Sequence, residues 1–311
     1  RSMTRMPASA ARRSVMPRLL PASASPRPRA LTLRAGSCLG GRMAARLELP
    51  ADHPHVAVVT IDRPAQANAL DPPTLRDLAA AWRAVAADPE IRCAVLTGAG
   101  ECSFCAGMDM KTTIPAAQRF ARGERIEPEV FEGLRSVATA LLAGFDLATP
   151  LVCAVNGHAR AGGFDLMLAA EIRYAVPEAT FALEEVALGL YPTGNATVLL
   201  PRQIPWVHAH ELLLTARPID ARRALEIGLV NRVVARDRLM ATALETADAI
   251  AANAPLAVRE TRRGVREIVH LSLAEAYKRQ EEIGAPLRRS EDAREAQRAF
   301  VEKRRPVWKG R

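Results

Sequence analysis

The side chains best placed to do chemistry fall within residues 150–193, PLVCAVNGHARAGGFDLMLAAEIRYAVPEATFALEEVALGLYPT. Ala161-Gly162-Gly163 opens an apolar run, Asp165 follows within one helical turn, and Glu185 comes after a second hydrophobic segment. The first N–H groups of a helix lack intrahelical partners and sit at the positive end of its dipole. Glycines let a reacting atom approach such a backbone closely. A turn of this kind can hold an anion, and carboxylates beside it can move protons. The set suits chemistry at an acyl group, where an enolate must be held while protons come and go. Each feature alone is ordinary. A Gly-Gly before an apolar helix usually serves packing, and a glutamate on a half-polar strand usually faces water. His158, close to the turn, is a candidate for lining the same pocket.

The elements that position these residues follow from pattern. Residues 151–155 (LVCAV) read as a buried strand ended by Asn156-Gly157, and residues 164–170 as a buried helix. Residues 56–62 (VAVVTID) predict a strand stopped by Arg63-Pro64. A helix follows to about Ala87, capped by Asp71-Pro72-Pro73, with Leu75, Leu78, Ala79 and Trp82 on one face. Residues 91–97 are nearly all apolar, as a strand buried on both faces requires. This β-α-β order implies a parallel sheet with a right-handed crossover. Residues 113–123 read as a mobile polar surface segment. Residues 128–147 read as one long amphipathic helix with Val130, Leu134, Val137, Leu141 and Leu142 inward. Helical patterns then cover 202–215, 220–227, 236–252, 255–269, 273–288 and 291–304, with one strand at 229–234. A β-rich half followed by a helical end suggests a catalytic core with a helical assembly or lid region.

Composition excludes several classes. Hydrophobic residues make up 49% of the 311, enough for a sizeable core, and no run is long enough to span a membrane. Aromatics are only 4%, which argues against a base-stacking surface. The formal charge of +9 is concentrated at the start. Residues 1–46 hold ten Arg and no Asp or Glu, so the rest is near neutral and no nucleic-acid partner is inferred. The five Cys suggest reduced thiols in a cytoplasmic protein. Cys102-x-x-Cys105 has no second pair, and His208-x-His210 faces apart on a helix, so no metal site is expected. Gly98-x-Gly100-x-x-Ser103 lacks the third glycine of a dinucleotide fingerprint, and no Gly-x-Ser-x-Gly elbow exists. Residues 1–43 have a disordered composition. Met43 is expected to be the true start, the Arg and Ala bias being that of GC-rich coding sequence. Were the tail native, its composition would be that of a transit peptide and the location the mitochondrial matrix.

Five blocks, in order, carry a family resemblance: IDRPAQANAL at 61–70, SFCAGMDMK at 103–111, PLVCAVNGHARAGGFDL at 150–166, FALEEVALGLYP at 181–192, and LLLTARPIDARRALEIGLVNRVV at 212–234. The ending AFVEKRRPVWKGR at 299–311 is also typical. From about Leu47 onward the chain resembles the crotonase (enoyl-CoA hydratase/isomerase) superfamily. The resemblance implies an α/β fold with a ββα spiral core at 44–234. It also implies a C-terminal helical region at 235–311 that promotes homotrimers or hexamers (dimers of trimers). It implies an acyl-CoA thioester substrate and no cofactor beyond the CoA of that substrate.

By the same resemblance the thioester oxygen is held by the N–H groups of Met108 and Gly162. Ala106, with neighbouring backbone at Gly107 and Gly163, contacts CoA, and Lys111 can meet its phosphates. The catalytic acids of the hydratases fall on Glu185 and Asp165. In those enzymes both are Glu, and they hold the water that adds across the 2,3-double bond of a trans-2-enoyl-CoA. Asp165 is a departure, one methylene shorter. Ala161 replaces the first of three glycines, the segment TGNATVLLP at 193–201 lacks the usual double Gly, and Leu199 stands where Arg is common. Thr193 stands where dienoyl-CoA isomerases carry an Asp. The resemblance therefore implies an enoyl-CoA hydratase. The alternatives are a Δ3,Δ2-enoyl-CoA isomerase, or related acyl-CoA enzyme, using Glu185 as its one main base, and a catalytically silent acyl-CoA-binding protein.

Overall fold

Short apolar runs separated by turn residues become strands in two sheets. A computed structural model describes residues 43–311; the readings of the N-terminal tail as disordered or targeting lie outside these residues. In chain order the strands are β1 (Ala45–Glu48), β2 (Val56–Ile61), β3 (Cys93–Gly98), β4 (Ser103–Cys105), β5 (Leu151–Val155), β6 (His158–Arg160), β7 (Ile172–Ala175), β8 (Thr180–Ala182), β9 (Ile219–Asp220) and β10 (Arg232–Val233). The larger sheet has the order β1-β2-β3-β5-β7-β10, parallel except for β1 against β2. The smaller has the order β4-β6-β8-β9, parallel except for β9.

Three times the chain lays a strand into the larger sheet, turns sharply, and lays the next into the smaller: β3 to β4, β5 to β6, β7 to β8. Helical segments follow each pair. This is the ββα repeat that the family resemblance implied. The corners stack on one another through Asn156 and Gly157. Asn156 Oδ1 accepts from Gly98 N (3.1 Å), and its Nδ2 donates to Gly100 O (2.8 Å). A Cβ on Gly157 would lie 2.3 Å from Cys102 O, so only glycine lets the two corners approach.

The helices are α1 (Pro72–Ala87), α2 (Thr113–Ala121), α3 (Pro128–Arg135), α4 (Val137–Ala140), α5 (Gly162–Leu168), α6 (Ala196–Gln203), α7 (Trp206–Thr215), α8 (Ala221–Glu226), α9 (Leu239–Ala251), α10 (Pro255–Ile268), α11 (Leu273–Leu287) and α12 (Glu291–Val301). Asp71 caps α1 as expected, accepting from Thr74 N at 2.9 Å. Four readings need correction. Residues 113–123 are not an irregular segment: they contain α2, whose Thr113 and Ala116 are buried and whose Phe120 meets Phe131 with ring centroids 5.5 Å apart. The long helix at 128–147 is two. Ser136 bonds back to Glu132 O (2.8 Å) at the break, and Leu142, at φ 55°, ends the second piece. The helix at 202–215 is also divided, because Pro205 lacks an N–H and holds Ile204 extended. The strand at 229–234 pairs only at Arg232 and Val233, with Leu229 and Val230 buried beside it.

Candidate active site

The glycine turn lies where β6 runs directly into α5. Ala161 takes φ 44° and ψ −120°, a conformation that favours glycine, and its N–H donates to Ala182 O (3.0 Å) on β8. Gly162 is the first residue of α5, so its N–H has no intrahelical partner. Facing it is the loop after β4. There Leu70 N donates to Gly107 O (2.8 Å) and Asp109 N to Leu70 O (3.1 Å). This parallel bridge uses the residues either side of Met108, so it leaves the Met108 N–H unused. Gly107, at φ 86°, lets the loop in: a Cβ there would lie 3.1 Å from Gly162 N, and one on Gly162 would lie 3.7 Å from Met108 N. The Met108 and Gly162 nitrogens are therefore close neighbours. Gly163 has a packing duty, since a Cβ on it would lie 2.3 Å from Cys105 O. Edge-to-face contact between Phe164 and Phe181 fixes α5 on the smaller sheet.

An ionic clamp fixes the opposite wall. Arg63 pairs with Asp71 and Asp109, both at 3.1 Å, and Asp109 also accepts from Lys111 N (2.9 Å). Burial pushes the Asp109 carboxyl up, but the Lys111 amide and Arg63 outweigh it and hold it below the usual range.

Glu185 opens a 3₁₀ turn, Glu185–Leu188, after β8, not a strand. Its Oε2 is buried and has no hydrogen-bond partner among the described residues. Burial raises this carboxyl above the ordinary range, and the charge of Glu184 adds to the rise. Arg160, the last residue before the glycine turn, pairs with Glu184 (2.8 Å) and donates to Thr180 Oγ1 (3.2 Å). Asp165 is 3% exposed. Its Oδ1 accepts from Ala196 N at 2.6 Å, and its Oδ2 packs on Gly194, where a Cβ would lie 2.3 Å away. Burial pushes Asp165 up to about 7; the Ala196 amide opposes this and the charge of Glu185 adds to it.

The remaining candidates lie around this centre. Ala106 is half-buried and donates its N–H to Ala67 O (3.0 Å). Lys111 is exposed where the loop enters α2, and among the described residues its ammonium makes no ion pair. His158 is exposed at the start of β6, bonded through Nδ1 to Thr180 Oγ1 (2.9 Å). Cys105 is buried and Cys102 exposed; the described residues hold no cluster suited to a metal ion.

The sequence model of a family described as Enoyl-CoA hydratase/isomerase matches residues 52–311. The chain belongs to this family. Enoyl-CoA hydratase EchA19 of Mycobacterium tuberculosis is 43% identical over 259 residues, 83% of this chain and 94% of that protein. Carnitinyl-CoA dehydratase of Proteus mirabilis is 39% identical over 260 residues, 82% of this chain and 95% of that one. Among solved structures, an enoyl-CoA hydratase from Bacillus anthracis superposes with TM-score 0.76 at 32% identity, covering 86% of this chain and 100% of that one. An enoyl-CoA hydratase from Mycobacterium tuberculosis H37Rv gives 0.74 at 35%, covering 87% and 100%. The crotonase resemblance and the α/β fold are thus confirmed.

The loops of Met108 and Gly162 meet in the structure, but the sequence pattern missed what holds the carboxylates. Nothing in the pattern marked Arg160 as the partner of Glu184. Residues 193–196 were legible only as an unusual family segment, yet they form the seat of Asp165. Asn195 anchors that seat, donating to Leu141 O (2.8 Å) and Asp165 O (2.9 Å).

Proposed function

We propose that this chain is an enoyl-CoA hydratase that adds water across the 2,3-double bond of a trans-2-enoyl-CoA. The observation that carries the reading is the adjacency of the Met108 and Gly162 nitrogens at the head of the helix that carries Asp165, whose carboxyl feels the charge of Glu185; the Glu185 Oε2 is buried and unpartnered among the described residues. The thioester oxygen accepts from both N–H groups, which stabilise the charge that develops as water attacks C3. Glu185 exchanges protons with the water and C2; its raised affinity for a proton suits a group that must both take and give one. Lys111 meets the CoA phosphates and backbone at Ala106 lies beside the adenine. His158 stands at the rim, and Gly107 and Gly163 let the two walls close. CoA arrives as part of the substrate and no other cofactor enters the scheme. No helix among the described residues is long and apolar enough to cross a membrane. The working assembly is a homotrimer or a dimer of trimers.

The test is to mix the protein with crotonyl-CoA and a longer enoyl-CoA, follow the enoyl absorbance and weigh the products. Gain of one water is expected, and Glu185→Gln should lower kcat by about 100-fold or more. Migration of the double bond of a 3-enoyl-CoA without water gain would replace the hydratase reading with an isomerase. Tight binding without turnover would leave a silent acyl-CoA-binding protein.

A further inference from the structure

We propose that Asp165 is a positioning residue, seated by Gly194 at the N-terminus of α6, and that Glu185 alone exchanges protons with the substrate. Both ends of the Asp165 carboxyl are engaged by one backbone segment. Oδ1 accepts from the N–H of Ala196, the first residue of α6, at 2.6 Å. Oδ2 lies so close to Gly194 that a methyl there would sit 2.3 Å from it. The Asn195 amide closes the seat from the other side, through the Asp165 carbonyl and Leu141 O. A carboxyl at a helix N-terminus satisfies an otherwise orphan donor and meets the positive end of the dipole. From α5 the aspartate side chain spans the distance to the first amide of α6. Glu185 contrasts in its surroundings. It lies on a half-exposed turn, and its buried Oε2 has no partner among the described residues.

One carboxylate is sufficient for the chemistry. Glu185 takes a proton from water as the water oxygen bonds to C3 and the C2–C3 π electrons move toward the thioester, leaving an enolate held by the Met108 and Gly162 amides. Glu185 then returns that proton to C2 as the enolate collapses. Water has been added, the carboxylate is restored, and no outside donor is required. Asp165 acts at one remove, by fixing residues 193–196 beside the turn that carries Glu185. The reaction part of this inference rests on the hydratase reading; the capping part does not.

The experiment compares wild type with Asp165→Asn, Asp165→Ala and Gly194→Ala, measuring kcat, KM and the pH–rate profile on crotonyl-CoA, and Tm. Asparagine keeps an oxygen for the Ala196 amide, so Asp165→Asn should lower kcat less than about tenfold and leave the acidic limb of the profile in place. Asp165→Ala loses the cap and should fall further in both kcat and Tm, so that asparagine rescues what alanine loses. Gly194→Ala should resemble Asp165→Ala, and adding it to Asp165→Ala should cost little more, because both break one contact. A fall of about 100-fold or more in kcat for Asp165→Asn, at unchanged KM and Tm, is the loss expected for a second proton-transferring acid and overturns the proposal. If wild type hydrates no enoyl-CoA, the reaction reading fails, and with it the claim for Glu185. The Tm series still decides the cap, which is overturned if Asp165→Ala melts with wild type.

Discussion

Asp165 also leaves a mark on stability. Its carboxyl is pushed up to about 7 by burial, against the Ala196 amide that favours the charge. An unfolded aspartate titrates near 3.9, so between about 4 and 7 the native state holds a proton that the unfolded state has lost. Stability from this group is then fully present below about pH 4 and lost as pH rises through about 7, with a slope of at most about 1.4 kcal/mol per pH unit. Glu185, raised for the same reason, adds a slope of the same sign. Urea unfolding of wild type and Asp165→Asn across this range should therefore give a difference that grows in favour of the variant as pH rises. Parallel profiles would show that Asp165 is ionised throughout. Residue identity was the legible part of this site: two carboxylates and a glycine turn stand out in the sequence. Their roles were not legible, because the partners of Asp165 come from a segment whose register against α5 is a tertiary fact.

At the scale of elements, the glycine turn carries strain that the sequence already hints at. Ala161 holds φ 44° and ψ −120°, where the family resemblance leads to the expectation of glycine. A non-glycine residue there costs of order 1–3 kcal/mol, while glycine loses roughly 0.4–1 kcal/mol more backbone entropy on folding. Ala161→Gly should therefore raise stability by about 1 kcal/mol, visible as a higher Tm, with the Met108 and Gly162 amides left in place. A lower Tm would mean that the Ala161 methyl, which approaches Gly107, contributes packing that outweighs the strain. The strands of the larger sheet and α1 were legible because their runs are uniformly apolar or cleanly amphipathic. Short elements were not. The 3₁₀ turn of Glu185 reads as strand because β8 runs into it, and α2 carries Pro115 in its first turn, a residue that reads as a break although a first turn tolerates it. Breaks at Ser136 and Pro205 depend on single residues inside otherwise periodic stretches.

At the scale of the molecule, the last helices attach to the core through charge and leave apolar side chains outside. Arg262 on α10, its side chain 7% exposed, bridges Asp146 and Glu171 at 2.8 Å each, and Arg266 reaches Glu171 at 2.9 Å. Burial alone would raise the Asp146 carboxyl, yet Arg262 holds it below its usual value. Val265 and Val269, one helical turn apart, are each 64% exposed, and Leu273 and Tyr277 on α11 repeat the spacing at 79% and 69%. Isolated apolar side chains on a surface need no explanation, but paired stripes on two packed helices suit burial against further copies of the chain. The assembly proposed above is expected to bury these stripes. Sedimentation velocity at micromolar concentration should give a trimer or hexamer for wild type. Val265→Glu with Val269→Glu should shift it toward monomer without disturbing the Arg262 bridge. A wild-type monomer removes the assembly, and a double variant that still sediments as wild type moves the contact to another face.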